Sequence, residues 1–94
     1  MKIVLTPFFI SDLDKQVAYI SKDKPKAAKK FKKDLITNIK KDLKNPYHFK
    51  KSQYFDDDLV RDYTFKGYTS VYQINISNNT IEVFGFIKYK ETLL

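Results

Sequence analysis

The last third of the chain, Leu59 to Lys90, constrains the fold most. It reads LVRDYTFKGYTSVYQINISNNTIEVFGFIKYK, three runs rich in β-branched and aromatic residues separated by Lys66-Gly67 and Asn78-Asn79. Asparagine and glycine tolerate the positive φ that two-residue hairpin loops require. The stretch therefore predicts a three-strand antiparallel meander that ends in a basic tail, Lys88-Tyr89-Lys90. The rest of the chain must back this sheet.

The preceding residues have the patterns to do so. Lys2 to Thr6 is short and apolar and suits a first strand; Pro7 ends it, because proline lacks the amide a sheet ladder needs. A first helix is expected from Ser11, a good N-cap, with Asp12 and Asp14 in its first turn where the helix dipole favours negative charge. Ile10, Leu13, Val17 and Ile20 make one apolar stripe, and the helix stops before Pro25. A second helix starts at Pro25 or Lys26. Its stripe is Ala28, Phe31, Leu35, Ile39 and Leu43, widened by Ile36, and Asn45-Pro46 ends it. Two amphipathic helices joined by a few residues form an antiparallel hairpin. The expected fold is α+β, in the order β-α-α-β-β-β, with the helix hairpin packed on one face of a small, mostly antiparallel sheet. Residues 1–94 form a single domain.

Composition narrows what such a domain can do. There is no cysteine, so neither a disulfide nor a zinc-cysteine cluster supports the core, which must come from aliphatic residues with eight Phe and seven Tyr. This is compatible with a reducing compartment. The apolar N-terminal stretch is interrupted by Asp12 and Asp14 and is too short to span a bilayer. No small-residue cleavage pattern follows it, so a cytoplasmic protein without membrane association is expected. The net charge is +7, and residues 22–51 hold twelve Lys against three Asp. Such a field favours a polyanion, whether nucleic acid, an acidic protein or a membrane surface. Lysine is also a good helix former that solubilises a helix face, which accounts for the same run without a ligand.

With two-residue loops at both turns, the register can be written out. Ile76 then faces Ile81, Ile74 faces Val83, Phe65 faces Tyr68 and Arg61 faces Tyr72. One face collects Arg61, Tyr63, Phe65, Tyr68, Tyr72, Ile74, Ile76, Ile81, Val83 and Ile87 and is the core face. The other collects Asp62, Thr64, Thr69, Val71, Gln73, Glu82, Phe84, Phe86 and Lys88 and is half open to a ligand. Arg61 has two readings: a largely buried arginine paired with Asp12 or Asp14, or a phosphate contact near the sheet edge. Between the second helix and the meander lies a longer connection, residues 46–58. It holds the only histidine, His48, read as plain surface, and the acidic run Asp56–Asp58, read as a solvated loop end.

Taken in order, these features resemble the RelE/ParE superfamily of bacterial toxins from type II toxin–antitoxin modules. The resemblance covers residues 1–90. Asp12-Leu13 with Tyr19-Ile20, Pro25 and Ala28 is similar to the family's first-helix pattern, and Leu43-Lys44-Asn45-Pro46 to the close of its second helix. Val60-Arg61-Asp62-Tyr63, Gly67 to Ile74, Ile81 to Phe84 and Ile87 to Lys90 resemble its meander and basic end. The resemblance implies a toxin with a cognate antitoxin as partner. RelE-like members cleave messenger RNA, usually on the ribosome. The ribose 2′-OH attacks the neighbouring phosphate, using Lys, Arg, His and Tyr on the open sheet face and no metal or other cofactor. ParE-like members poison DNA gyrase and are not nucleases.

Here the open-face set departs from the RNA-cleaving pattern. Thr69 follows Gly67-Tyr68 where arginine is common, and Asp62 and Thr64 stand where related nucleases carry lysine or histidine. The remaining candidates are Lys88, Tyr89 and Lys90 as catalytic groups at the sheet rim, with Arg61 and Lys66 as RNA contacts. The expected activity is a ribosome-dependent mRNA endonuclease. The alternatives are a gyrase inhibitor and a non-toxic relative that only binds a partner.

Overall fold

Pro7 acts twice at the start of the chain. Strand β1 (Lys2–Leu5) stops before it, and helix α1 (Pro7–Ser21) begins with it. The helix therefore starts a turn earlier than Ser11. Proline's fixed φ and missing amide suit the first helical position, where the N–H has no helical partner. Thr6 is the N-cap, and its Oγ1 accepts from the Phe9 amide at 3.3 Å. The extra turn buries Phe9 beside Leu13. Helix α2 (Pro25–Asp42) follows after a three-residue connection and buries Ala28, Phe31, Leu35 and Ile39, the stripe read from the sequence. A single 3₁₀ turn, Pro46–His48, leads into the long connection. This computed structural model describes residues 1–88.

Strands β2 (Val60–Phe65), β3 (Tyr68–Asn75) and β4 (Thr80–Lys88) form the meander, and β1 joins it parallel to β4 in the order β1-β4-β3-β2. The β2–β3 loop has the expected two residues, with Lys66 at φ 50° and Gly67 at φ 81°. Both values are positive, as the favoured hairpin turn requires. The β3–β4 loop differs from the sequence reading. Asn75 pairs with Thr80, so the loop runs from Ile76 to Asn79, and Ile74 faces Ile81 rather than Val83. Asn75 explains the longer loop, since its Oδ1 accepts from the Asn78 amide at 3.1 Å and closes a local turn. Ile76 is left 62% exposed at the tip instead of entering the core.

A bulge in β4 makes the second difference. Tyr72 pairs with Val83 but Val71 pairs with Gly85, so Phe84 is the extra residue. Beyond it the alternation of β4 is reversed. Phe86 turns to the helix side, edge-on to Phe9 (centroids 5.8 Å) and stacked on Tyr68 (5.3 Å). Ile87 takes the other face. The helix-backed face is an apolar cluster of Phe9, Leu13, Phe31, Leu35, Ile39, Leu43, Tyr63, Tyr72, Ile74, Ile81 and Val83. Full burial of each such side chain contributes about 1.5–3 kcal/mol. No helix among the described residues is long and apolar enough to cross a membrane.

Candidate functional site

Residues 46–58 are not a loose loop. Lys51 forms a bridge with Arg61, the Ser52 amide donates to Val60 O at 2.8 Å, and the Asp62 amide donates to Lys50 O at 3.1 Å. Lys50–Ser52 thus extend the sheet by a short edge beyond β2. Two side chains on the helix side of the sheet, Tyr72 and Arg61, hold this connection, and a third, Tyr63, holds the end of α2 just before it. The Tyr72 hydroxyl donates to Pro46 O at 2.5 Å, and the Tyr63 hydroxyl donates to Asp42 Oδ2 at 2.5 Å. Arg61 does the most: Nη1 donates to Tyr47 O (3.2 Å) and Phe49 O (2.8 Å), and Nε donates to Asp58 O (3.1 Å). Its guanidinium also lies 5.4 Å from the centre of the Tyr47 ring. The expected ion pair with Asp12 or Asp14 is absent among the described residues, because α1 packs on β4, away from outer strand β2. Asp14 pairs instead with Lys32 at 2.6 Å.

The face away from the helices is less open than its sequence implies. Val71 is 0% and Val60 5% exposed, and Thr69 is buried. Residues 53–58 lie over this face as a strap, with Phe55 edge-on to Phe84 at 5.4 Å. Beside the strap remains a cavity of about 780 Å³, lined by His48, Phe49, Lys50, Lys51, Gln53, Asp62, Thr64, Gly67 and Thr69. The Asp62 carboxylate is its distinctive group. Oδ2 accepts from the Gln53 amide at 3.2 Å, while Oδ1 is shielded and has no hydrogen-bond partner among the described residues. Lys51 pairs with Asp58 at 2.8 Å; this hydrogen bond and the lysine's charge hold the Asp58 carboxyl below the usual carboxylate range. Burial, then the bond to Asp42, pushes the Tyr63 hydroxyl well above its usual range. Burial dominates for Tyr72 in the same direction.

Of the candidates read from the sequence, Arg61, Lys66 and Lys88 lie among the described residues, and none of the three lines the cavity. Lys88, opposite Tyr68, lies on the helix side of β4 rather than the free face, with Nζ 5.9 Å from the Tyr19 ring centre. The bulge at Phe84 is the cause. Tyr89 and Lys90 lie outside the described residues. Lys66 is exposed at the β2–β3 turn, next to cavity-lining Gly67, and its Nζ is 5.4 Å from the Phe65 ring centre. The groups that do share a cavity are His48, Lys50, Lys51 and Asp62. The sequence reading left out Lys50 and Lys51 and set His48 aside. Their signal was faint: a Lys-Lys pair in extended register with Val60–Asp62, inside what reads as a loop.

A short first strand, a helix hairpin and a three-strand meander are the arrangement that the resemblance to the RelE/ParE superfamily of type II toxins implies. A family model described as ParE toxin of type II toxin-antitoxin system, parDE, matches residues 3–92. The match takes in nearly the whole chain, so the chain belongs to the ParE toxin family, and its place in such a module implies an antitoxin partner. No curated protein matches it.

Proposed function

We propose that this toxin stops growth as a ribosome-dependent mRNA endonuclease and that the cavity beside the strap takes the RNA. The observation that supports this reading is Asp62, a carboxylate with one oxygen unpartnered among the described residues, in a cavity shared with Lys50, Lys51 and His48. Such a set suits metal-independent cleavage. Asp62 accepts the proton of the ribose 2′-OH as that oxygen attacks the adjacent phosphorus. Lys50 and Lys51 stabilise the charge that builds on the phosphoryl oxygens. The bond to the 5′-oxygen breaks, leaving a 2′,3′-cyclic phosphate, and His48 supplies the proton for the departing oxygen. Lys66 and Arg61 then serve as an outer RNA contact and a positioning residue for the connection, respectively.

Toeprinting of a translated message tests the reading: a cut within the A-site codon is expected. Asp62→Asn should lower the cutting rate by about 10²–10⁴, as loss of a general base does. The tail supplies the competing site. Lys88→Ala with Lys90→Ala relieves growth arrest if Lys88, Tyr89 and Lys90 are the catalytic groups, and leaves it intact if the cavity is.

A second reading, DNA gyrase inhibition without nuclease activity, is favoured by the match to the ParE toxin family, whose members the resemblance gives as gyrase poisons, and by where the cations lie. Arg61's donors are taken by backbone carbonyls, and Lys88 is off the free face. Inhibition of supercoiling by purified protein without ribosomes, together with an uncut message, would select it.

A further inference from the structure

The strap bears on the cavity through two polar contacts, those of Asp58 and Gln53. The chain's one acidic run, Asp56–Asp58, lies in it, and Asp58 reaches Lys51, a lysine of the cavity wall. The Gln53 amide takes up one oxygen of Asp62. Phe55 rests on Phe84, yet is 47% exposed. Both ends of the strap are fixed, by Ser52 on Val60 at one side and by Arg61 on Asp58 O at the other.

We propose that the strap is an acidic mask, in which Asp58 occupies Lys51 and Gln53 occupies Asp62 until the phosphodiesters of a single-stranded RNA displace them. The inference rests on reading the cavity as the RNA site. The Lys51–Asp58 pair is largely exposed, 61% and 78% by side chain, so water and salt weaken it. A ligand with several phosphates engages Lys50 and Lys51 together and releases counterions, which one aspartate cannot match. The strap lets go at the Asp58 side chain and the Gln53 amide, neither of which belongs to the β2–β3 ladder, so it shifts without breaking that ladder. Its movement frees the Asp62 carboxylate at the moment the RNA arrives.

Binding of a short single-stranded RNA oligonucleotide, followed by fluorescence anisotropy at several salt concentrations, tests this. Asp58→Asn should bind about two- to fivefold tighter at low salt, with a log–log salt slope steeper by about one. Asp58→Glu, which keeps the charge, should bind as the parent does. Lys51→Ala should bind more weakly, and adding Asp58→Asn to it should give no gain. Equal binding by the parent and Asp58→Asn overturns the mask and leaves the RNA site standing, as does a gain that survives without Lys51. If the parent and every variant melt normally but none binds RNA, the RNA reading of the cavity falls and the mask with it.

Discussion

The two faces of one sheet are closed by different means. The helix side is sealed by periodic apolar side chains that bring Leu35, Ile39 and Leu43 to 0% exposure against Tyr72, Ile74 and Val83. The other side is sealed by six residues of strap whose contacts include one aromatic pair, an exposed ion pair and hydrogen bonds from Gln53, Tyr54, Leu59, Val60 and Arg61. Apolar area removed from water scales with stability, whereas exposed ion pairs contribute little. The first face holds the fold together. The second is closed at low cost and opens at low cost, which suits a surface that must meet a ligand.

The largest test of this contrast is on the helix side. Leu35→Ala removes a fully buried side chain between α2 and the sheet and should cost about 2–5 kcal/mol in urea unfolding. A loss below about 1 kcal/mol would mean that the two layers are not packed as described.

Tyr63→Phe probes the clamp between β2 and the end of α2. Tyr63 lies on the helix side, 5% exposed, and donates to Asp42. Losing this charge-assisted bond should cost about 1.5 kcal/mol at neutral pH. It also has a pH signature. The folded protein keeps the Tyr63 proton above the pH at which the unfolded chain releases it, near 10. Above that pH the unfolded state binds fewer protons than the native state, so stability falls as pH rises; below it this group contributes no slope. The phenylalanine variant should lose stability less steeply through the alkaline range. Some slope should remain, because Tyr72 is shifted in the same direction. Identical slopes for the two proteins would remove Tyr63 from the account.

Much of the helix-backed region was legible in the sequence, for a physical reason. The stripe from Ala28 to Leu43 repeats with the helical period, and Lys66-Gly67 fixes one hairpin because few loops need two positive φ values in succession. The other region was not legible. The side chain of Asn75 lengthens the second loop, and the extra residue at Phe84 reverses the alternation that put Lys88 on the free face. A single bulge carries no composition signal, yet it moves every later side chain to the opposite face. The cavity was hidden for a related reason. Its lysines sit in a connection that becomes an edge strand only through bonds to Val60, Arg61 and Asp62, and such pairing is set by tertiary contact.

The smallest expected effect on stability lies on the strap, and it separates the two regions most cleanly. Phe55→Ala removes a half-exposed ring from Phe84. Only part of the side chain leaves an apolar contact, so the cost should be on the order of 1 kcal/mol or less, well under that of Leu35→Ala. Its local consequence should be larger than its global one. Amide hydrogen exchange should quicken at Gln53 and Leu59, whose amides are held by Asp62 and Asp57, while amides of β3 and α2 keep the protection of the whole fold. The outcome that would undo the comparison is a uniform loss of protection. It would show that the strap and the helix-backed core unfold as one unit, and a mask that cannot open alone could not uncover Lys51 or Asp62.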